Sequence, residues 1–329
     1  MELLQIVVII LVLIFLFING FHDGCNILNP IISTRVLDIR PALYILTISE
    51  FVGAIFLGSA VTKTIGEKLV HFSLFSLYVL VAGVIGAIIW NLLTWYWKVP
   101  SSSSQALIGG ILGSSVANLF YLQDMSLIYW KNVFLIVIIL LCSPFIGFLI
   151  SWILTKLAYT ILIKVEFKKK DIVRIFHLAS FVFLGLVHGS NDVQKGLGVI
   201  LISFLIVGVN GPTPLWIRIL TATVFALGVS RGGWRIMRSL SYKLYKIRSF
   251  SGFISQSSAA LTVGSLGFIG FPVSSTQILF CSLIGTGTAL QAKTLRWGLI
   301  KNIFIFWFLT MPITAIISFS TFILLKNIG

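Results

Sequence analysis

Asp23 and Asp192 are carboxylates set in otherwise apolar stretches, and each sits inside a compact polar phrase. The first phrase is Asn19-Gly20-Phe21-His22-Asp23-Gly24-Cys25-Asn26; the second is His188-Gly189-Ser190-Asn191-Asp192-Val193-Gln194-Lys195. An ionised carboxylate within a membrane span is expensive, so such a residue marks a functional position with a partner nearby. The amides of Asn19, Asn26 and Asn191 add hard oxygen donors, which suit sodium or a shuttled proton. A single Asp of this kind is readily a helix N-cap. Two at matching positions argue instead for a shared site, with Asp23, Asn26, Asp192 and Asn191 holding a cation.

A second pair of phrases has the chemistry for the opposite charge. Pro100-Ser101-Ser102-Ser103-Ser104-Gln105 is echoed by Pro272-Val273-Ser274-Ser275-Thr276-Gln277. A proline is tolerated where a helix begins, because the first amides have no intrahelical partner. Hydroxyls and free amides at a positive helix end form an anion site. Two such ends facing one another could hold one tetrahedral oxyanion. The candidate residues are Ser101, Ser102, Ser103, Ser104 and Gln105, with Ser274, Ser275, Thr276 and Gln277. The spacing of the two pairs nearly agrees: Asp192 follows Asp23 by 169 positions, and Pro272 follows Pro100 by 172.

Titrating groups surround the aspartates. His22 and His188 flank them and are suited to a proton-coupled cycle. Glu50 lies within another apolar stretch and is a third candidate for moving or balancing charge. Cys25, Cys142 and Cys281 are isolated in apolar sequence, with neither zinc-type nor disulfide-type spacing. No nucleophile–base pair or metal-ligand cluster suggests an enzyme, and no cofactor is expected.

These residues need an unusual scaffold. The chain is 58% hydrophobic and 10% charged, with a mean hydropathy of +1.06. A soluble domain of 329 residues could not hide that much apolar surface, so its solvent is lipid. The formal charge of +15 suggests nucleic acid, but its distribution argues against it. Lys164, Lys168, Lys169, Lys170 and Arg174 crowd one linker; Arg231, Arg235, Arg238, Lys243, Lys246 and Arg248 crowd another. Such clusters between apolar spans are cytoplasmic loops by the positive-inside rule, with contact to anionic lipid as a by-product.

The apolar segments run near 3–20, 41–61, 72–93, 103–122 and 131–160, then 175–190, 214–230, 250–271, 274–291 and 298–325. Stretches 24–34 and 193–208 read as short extra helices. Asp23 and Asp192 then each end the first span of a half. The N-terminus has no Lys or Arg before the first span, while Arg35 and Arg40 follow it. Both termini are therefore expected outside, with loops 164–174 and 231–248 cytoplasmic. Five crossings per half is odd, so the second half must insert upside down relative to the first. The expected fold is all-α: a polytopic membrane protein of two inverted repeats with about 10–12 helices, some discontinuous. Residues 1–162 form the first repeat, 163–174 the linker and 175–329 the second. Trp95, Tyr96, Trp97, Tyr129, Trp130, Trp216 and Trp297 fit interfacial belts.

Together with Gly232-Gly233-Trp234-Arg235, the two pairs of phrases resemble the inorganic phosphate transporter family, and more closely its bacterial members. The likeness extends from Asn19 to beyond Gln277. It implies secondary-active, cation-coupled uptake of inorganic phosphate in the cell membrane, by alternating access between two inverted repeats. It places phosphate on the two serine loops. It places sodium, where sodium is the coupling ion, on Asp23, Asn26 and Asp192. It also implies a homodimer. The chain departs from the family in carrying Gln105 and Gln277 where histidine is common, and amides cannot carry a proton. It has Lys195 where the first half has Asn26. An ammonium beside Asp192 occupies the place of a cation and breaks the symmetry of a sodium pair. These variants resemble proton-coupled carriers, some of which take phosphate as a neutral divalent-metal complex. Two other readings keep the residues: a carrier of sulfate or another tetrahedral oxyanion, and a passive anion channel.

Overall fold

The computed structural model describes residues 3–69, 76–122, 128–164, 170–232 and 244–328. In the first half the helices are α1 (Leu3–Ser33), α2 (Ile39–Phe56), α3 (Ala60–Lys68), α4 (Leu77–Trp97), α5 (Ser103–Leu122) and α6 (Trp130–Lys164). In the second they are α7 (Lys170–Ile206), α8 (Leu215–Arg231), α9 (Ser249–Ile269), α10 (Ser275–Gln291) and α11 (Trp297–Ile328). Among the described residues, seven helices are long and apolar enough to cross a membrane: α1, α2, α4, α5, α6, α7 and α11. The others are shorter or richer in serine and threonine.

The packing is reciprocal between the halves. Helix α1 packs on α8, and α7 on α2. Helix α5 lies against α4 and α11, while α10 lies against α9 and α6. Each half thus lends its last helix to cover the other half's serine-led helix. Helices α5 and α10 are buried along most of their length. The covering helices α6 and α11 present Phe134, Phe145, Leu149, Phe308 and Ile316 outward, as a lipid-facing surface requires. Each also carries a proline in its interior, Pro144 in α6 and Pro312 in α11.

The central crossings depend on glycine. A Cβ on Gly20 of α1 would fall on the carbonyl oxygen of Phe225 in α8. A Cβ on Gly189 of α7 would fall on the carbonyl oxygen of Glu50 in α2. Both contacts lie inside van der Waals range, so the polar phrases contain glycine because another backbone passes directly over them.

Two expectations are corrected. Segments 24–34 and 193–208 are not separate helices; they continue α1 and α7 without a break. Asp23 and Asp192 therefore lie within helices rather than at their ends, and neither is a cap. In a membrane an unbroken helix satisfies its own backbone, leaving the polar side chains free to find partners on other helices. Pro100 and Pro272 do not open helices either: α5 and α10 begin at Ser103 and Ser275. The nine-residue α3 was not anticipated; it carries Lys63, Glu67 and Lys68 and packs against α7.

Of the expected basic linkers, Lys168, Lys169, Arg235, Arg238 and Lys243 lie outside the described residues, as do Gly233 and Trp234. Helices α6 and α7 enter the first linker from both sides, ending at Lys164 and starting at Lys170. Tyr96, Trp97, Tyr129, Trp130, Trp216 and Trp297 are exposed as a belt requires. Cys25 and Cys281 are buried, whereas Cys142 is exposed.

Candidate functional site

Packing of α1 on α7 brings the two polar phrases together. Ligand atoms of Asp23, His188 and Asp192 lie within 4.8 Å of one another. The Asn19 amide donates to Asp192 Oδ2 across the halves at 3.1 Å. His22 Nδ1 lies 3.1 Å from Asp23 Oδ1. All five side chains are buried.

The serine phrases close over this centre. Ser103 Oγ donates to Asp23 Oδ2 at 2.8 Å. The Asn26 amide donates to Thr276 Oγ1 in the other half at 3.3 Å. The Asn191 amide donates to Ser275 Oγ at 3.2 Å and to the Val273 carbonyl at 2.9 Å. Lys195 Nζ donates to Asp192 Oδ1 and to Ser104 Oγ, each at 2.5 Å, and to the Val273 carbonyl at 2.8 Å. Ser104 Oγ itself donates to that carbonyl at 2.8 Å. Gln105 Nε2 donates to Gln277 Oε1 at 3.3 Å, joining the two serine-led helices directly.

The serines divide by role. Ser102 Oγ accepts from the Gln105 amide at 3.1 Å, and Ser274 Oγ accepts from the Gln277 amide at 3.4 Å. These two are ordinary N-caps. Ser101 pairs with Thr94 at 2.8 Å. Ser103 and Ser104 meet the charged groups of Asp23 and Lys195, whereas Ser275 and Thr276 meet the side-chain amides of Asn191 and Asn26. The Val273 carbonyl, which receives three donors, carried no signal in the sequence, since its role rests on backbone position.

Glu50 enters from α2. Its Oε1 lies 2.7 Å from His188 Nδ1, and His188 Nε2 lies 3.3 Å from Asp192 Oδ2. Glu50, His188, Asp192 and Lys195 thus form a buried line of alternating acid and base. The His188 ring also rests on Phe225 of α8, with centroids 5.7 Å apart.

Several buried atoms at this centre have no hydrogen-bond partner. They include the acceptors Asn19 Oδ1, Asn26 Oδ1, Gln105 Oε1 and Glu50 Oε2, the ring nitrogen His22 Nε2 and the donor Gln277 Nε2. Buried polar groups are nearly always satisfied, so such a cluster needs a reason. Unpartnered oxygens near Asp23 fit a cation, and the unpartnered Gln277 Nε2 at the second serine-led helix fits an anion. A cavity of about 20 Å³ is lined by Asn26 and Thr276 together with Ile247, Leu279 and Phe280. That is room for about one water.

Comparison with known proteins shows the family and the fold. The model of the "Phosphate transporter family" matches residues 19–179 and 163–318, starting at the first residue of the first phrase. The chain belongs to the phosphate transporter family. Two relatives bear the name "Probable low-affinity inorganic phosphate transporter". That of Rhizobium meliloti is 34% identical over 310 residues, covering 93% of this chain and 92% of its own. That of Bacillus subtilis is 33% identical over 336 residues, covering 99% and 98%. A solved structure described as "The sodium-dependent phosphate transporter" is similar with a TM-score of 0.87, covering 100% of both chains. At 23% identity it shows that the fold is shared. This family member is a multi-pass helical membrane protein of phosphate-transporter type, and the coupling ion has to be argued from its residues.

Proposed function

We propose that this family member is a secondary-active symporter that moves inorganic phosphate together with a cation by alternating access. The observation that carries the proposal is the pair of contacts in which Ser103 meets Asp23 within the first half and Asn26 meets Thr276 across the halves. They put an anion-type helix start and a cation-type carboxylate in one place, built from both halves.

Coupling follows from competition for the same atoms. Ser103 Oγ has one proton to donate, and Asp23 now receives it. A cation on Asp23, sodium or a proton, satisfies the carboxylate and releases that hydroxyl for phosphate. The cation also screens the two negative groups from one another, a repulsion that is severe at low dielectric. Phosphate therefore binds well only after its counter-ion. The membrane potential opposes anion entry by about 2.3 kcal/mol per charge per 100 mV, and the co-bound cation offsets this.

Reciprocal packing of α1 on α8 and of α7 on α2 supports two repeats, 1–162 and 175–329, related by inversion. In that arrangement the basic linkers face the cytoplasm and the termini lie outside. Phosphate is larger than the cavity at Asn26 and Thr276, so α5 and α10 must separate for entry. The Gln105–Gln277 bond is the link that then opens.

The serine assignment is tested by kinetics. Ser103→Ala combined with Ser275→Ala removes two hydroxyls that donate to a charged ligand. The phosphate KM should rise about tenfold or more in uptake by proteoliposomes. Excess sulfate should leave wild-type phosphate uptake unchanged. An unaltered KM, or full competition by sulfate, would reject this site as a phosphate site.

A further inference from the structure

Lys195 is not an ordinary surface lysine. Its side chain is 1% exposed, it sits within α7, and all three of its ammonium protons are used. The three oxygens around Nζ are a carboxylate (Asp192), a hydroxyl (Ser104) and a backbone carbonyl (Val273). Carboxylate, hydroxyl and carbonyl oxygens form the donor set of a hard monovalent cation. The ammonium stands where such an ion would stand.

The other half shows the same position without the charge. Lys195 follows Asp192 by three residues, as Asn26 follows Asp23. Asn26 reaches Thr276, which occupies in its phrase the place that Ser104 occupies in the other. There the side chain is neutral, and Asn26 Oδ1 has no hydrogen-bond partner. One half thus offers an acceptor oxygen where the other supplies a resident cation.

We infer that Lys195 is a tethered counter-ion that permanently fills the second-half cation position, so that only the Asp23 position takes a mobile cation in each cycle. The inference rests on the symport reading and adds its stoichiometry. A solution cation would have to displace an ammonium held by three oxygens and leave that ammonium buried and unpaired. Breaking a buried ion pair in this way is strongly unfavourable. The same ammonium sits one hydroxyl from the helix start assigned to phosphate. It therefore supplies part of the anion's counter-charge without being carried through.

The test is the sodium dependence of initial phosphate uptake by purified protein in proteoliposomes, at fixed pH and membrane potential. For the wild type the Hill coefficient for sodium should not exceed about 1, whether the mobile ion is sodium or a proton. Lys195→Asn copies the first-half residue and opens the second position, so the coefficient should rise by about one. The double exchange Asn26→Lys with Lys195→Asn should bring it back to the wild-type value. A wild-type coefficient near 2, or an active Lys195→Asn protein whose sodium dependence matches wild type, overturns the inference. If Lys195→Asn does not assemble, the wild-type coefficient alone decides. Absence of phosphate uptake under any cation gradient would instead reject the symport reading, which keeps the two failures apart.

Discussion

Asp23→Asn is expected to abolish accumulation of phosphate while the protein still folds and inserts. The substitution keeps the shape and an acceptor oxygen, so Ser103 retains a hydrogen bond and His22 a neighbour. It removes the negative charge that a mobile cation would neutralise. Losing a charged partner at a desolvated contact costs about 3 kcal/mol, or roughly 100-fold in binding. Uptake should therefore fall by about that factor at any cation concentration below saturation. The protein should elute as a single species in detergent with a melting temperature near that of wild type. Accumulation within a few-fold of normal would mean that the coupling cation sits elsewhere.

The matching change in the other half should behave differently. Asp192→Asn leaves the Lys195 ammonium without its carboxylate and also takes one of the two acid partners from His188, which keeps Glu50. Both groups are buried. Removing one member of a buried ion pair costs about 3–5 kcal/mol, because the other charge remains desolvated. Asp192→Asn should thus lower the yield of folded protein and depress its melting temperature strongly. The double variant Asp192→Asn with Lys195→Asn removes both charges and should regain most of that stability. If Asp192→Asn were as stable as Asp23→Asn, the ion pair would have no structural role. The contrast between two equivalent aspartates is the clearest consequence of Asn26 in one half and Lys195 in the other.

Much of this site was legible in the sequence. The four phrases, their nearly equal offsets and the carboxylate–amide against hydroxyl character of the two kinds needed only residue types and positions. Their meeting was also foreseeable, since a buried carboxylate requires a partner and the chain offered few. The continuity of α1 and α7 was not legible. Gly20, His22, Asp23 and Gly24 read locally as a helix end, because partners for buried polar side chains come from other helices and leave no local mark. Helix α3 escaped notice because it is nine residues long and mixes charged with apolar residues. The division of labour among the serines was hidden for a related reason. Ser102 and Ser103 are chemically alike, and one caps a helix while the other meets Asp23 only because of where the chain turns. The Glu50–His188 contact joins residues 138 apart, beyond any spacing rule.

Two kinds of helix junction do different work here. The crossings at Gly20 and Gly189 pack α1 and α7 backbone-to-backbone on their partners, so the aspartates are expected to move least. The junction between α5 and α10 is polar and depends on Gln105 with Gln277, and on Ser104 and Lys195 with the Val273 carbonyl. Polar junctions of this sort can exchange partners with a polar ligand, whereas glycine-packed backbones cannot move apart without losing contact. Separation of α5 from α10 over α1 and α7 is therefore the motion to expect in transport.

The central claim is that phosphate and its cation share one site made by both halves. The most direct measurement is uptake of radiolabelled phosphate by purified protein in sealed proteoliposomes, with sodium and proton gradients imposed separately. Phosphate should accumulate above its equilibrium level when one of these gradients points inward, and only equilibrate when neither does. Equilibration alone under both gradients, at a rate indifferent to either cation, would contradict the claim and point to a passive anion pathway.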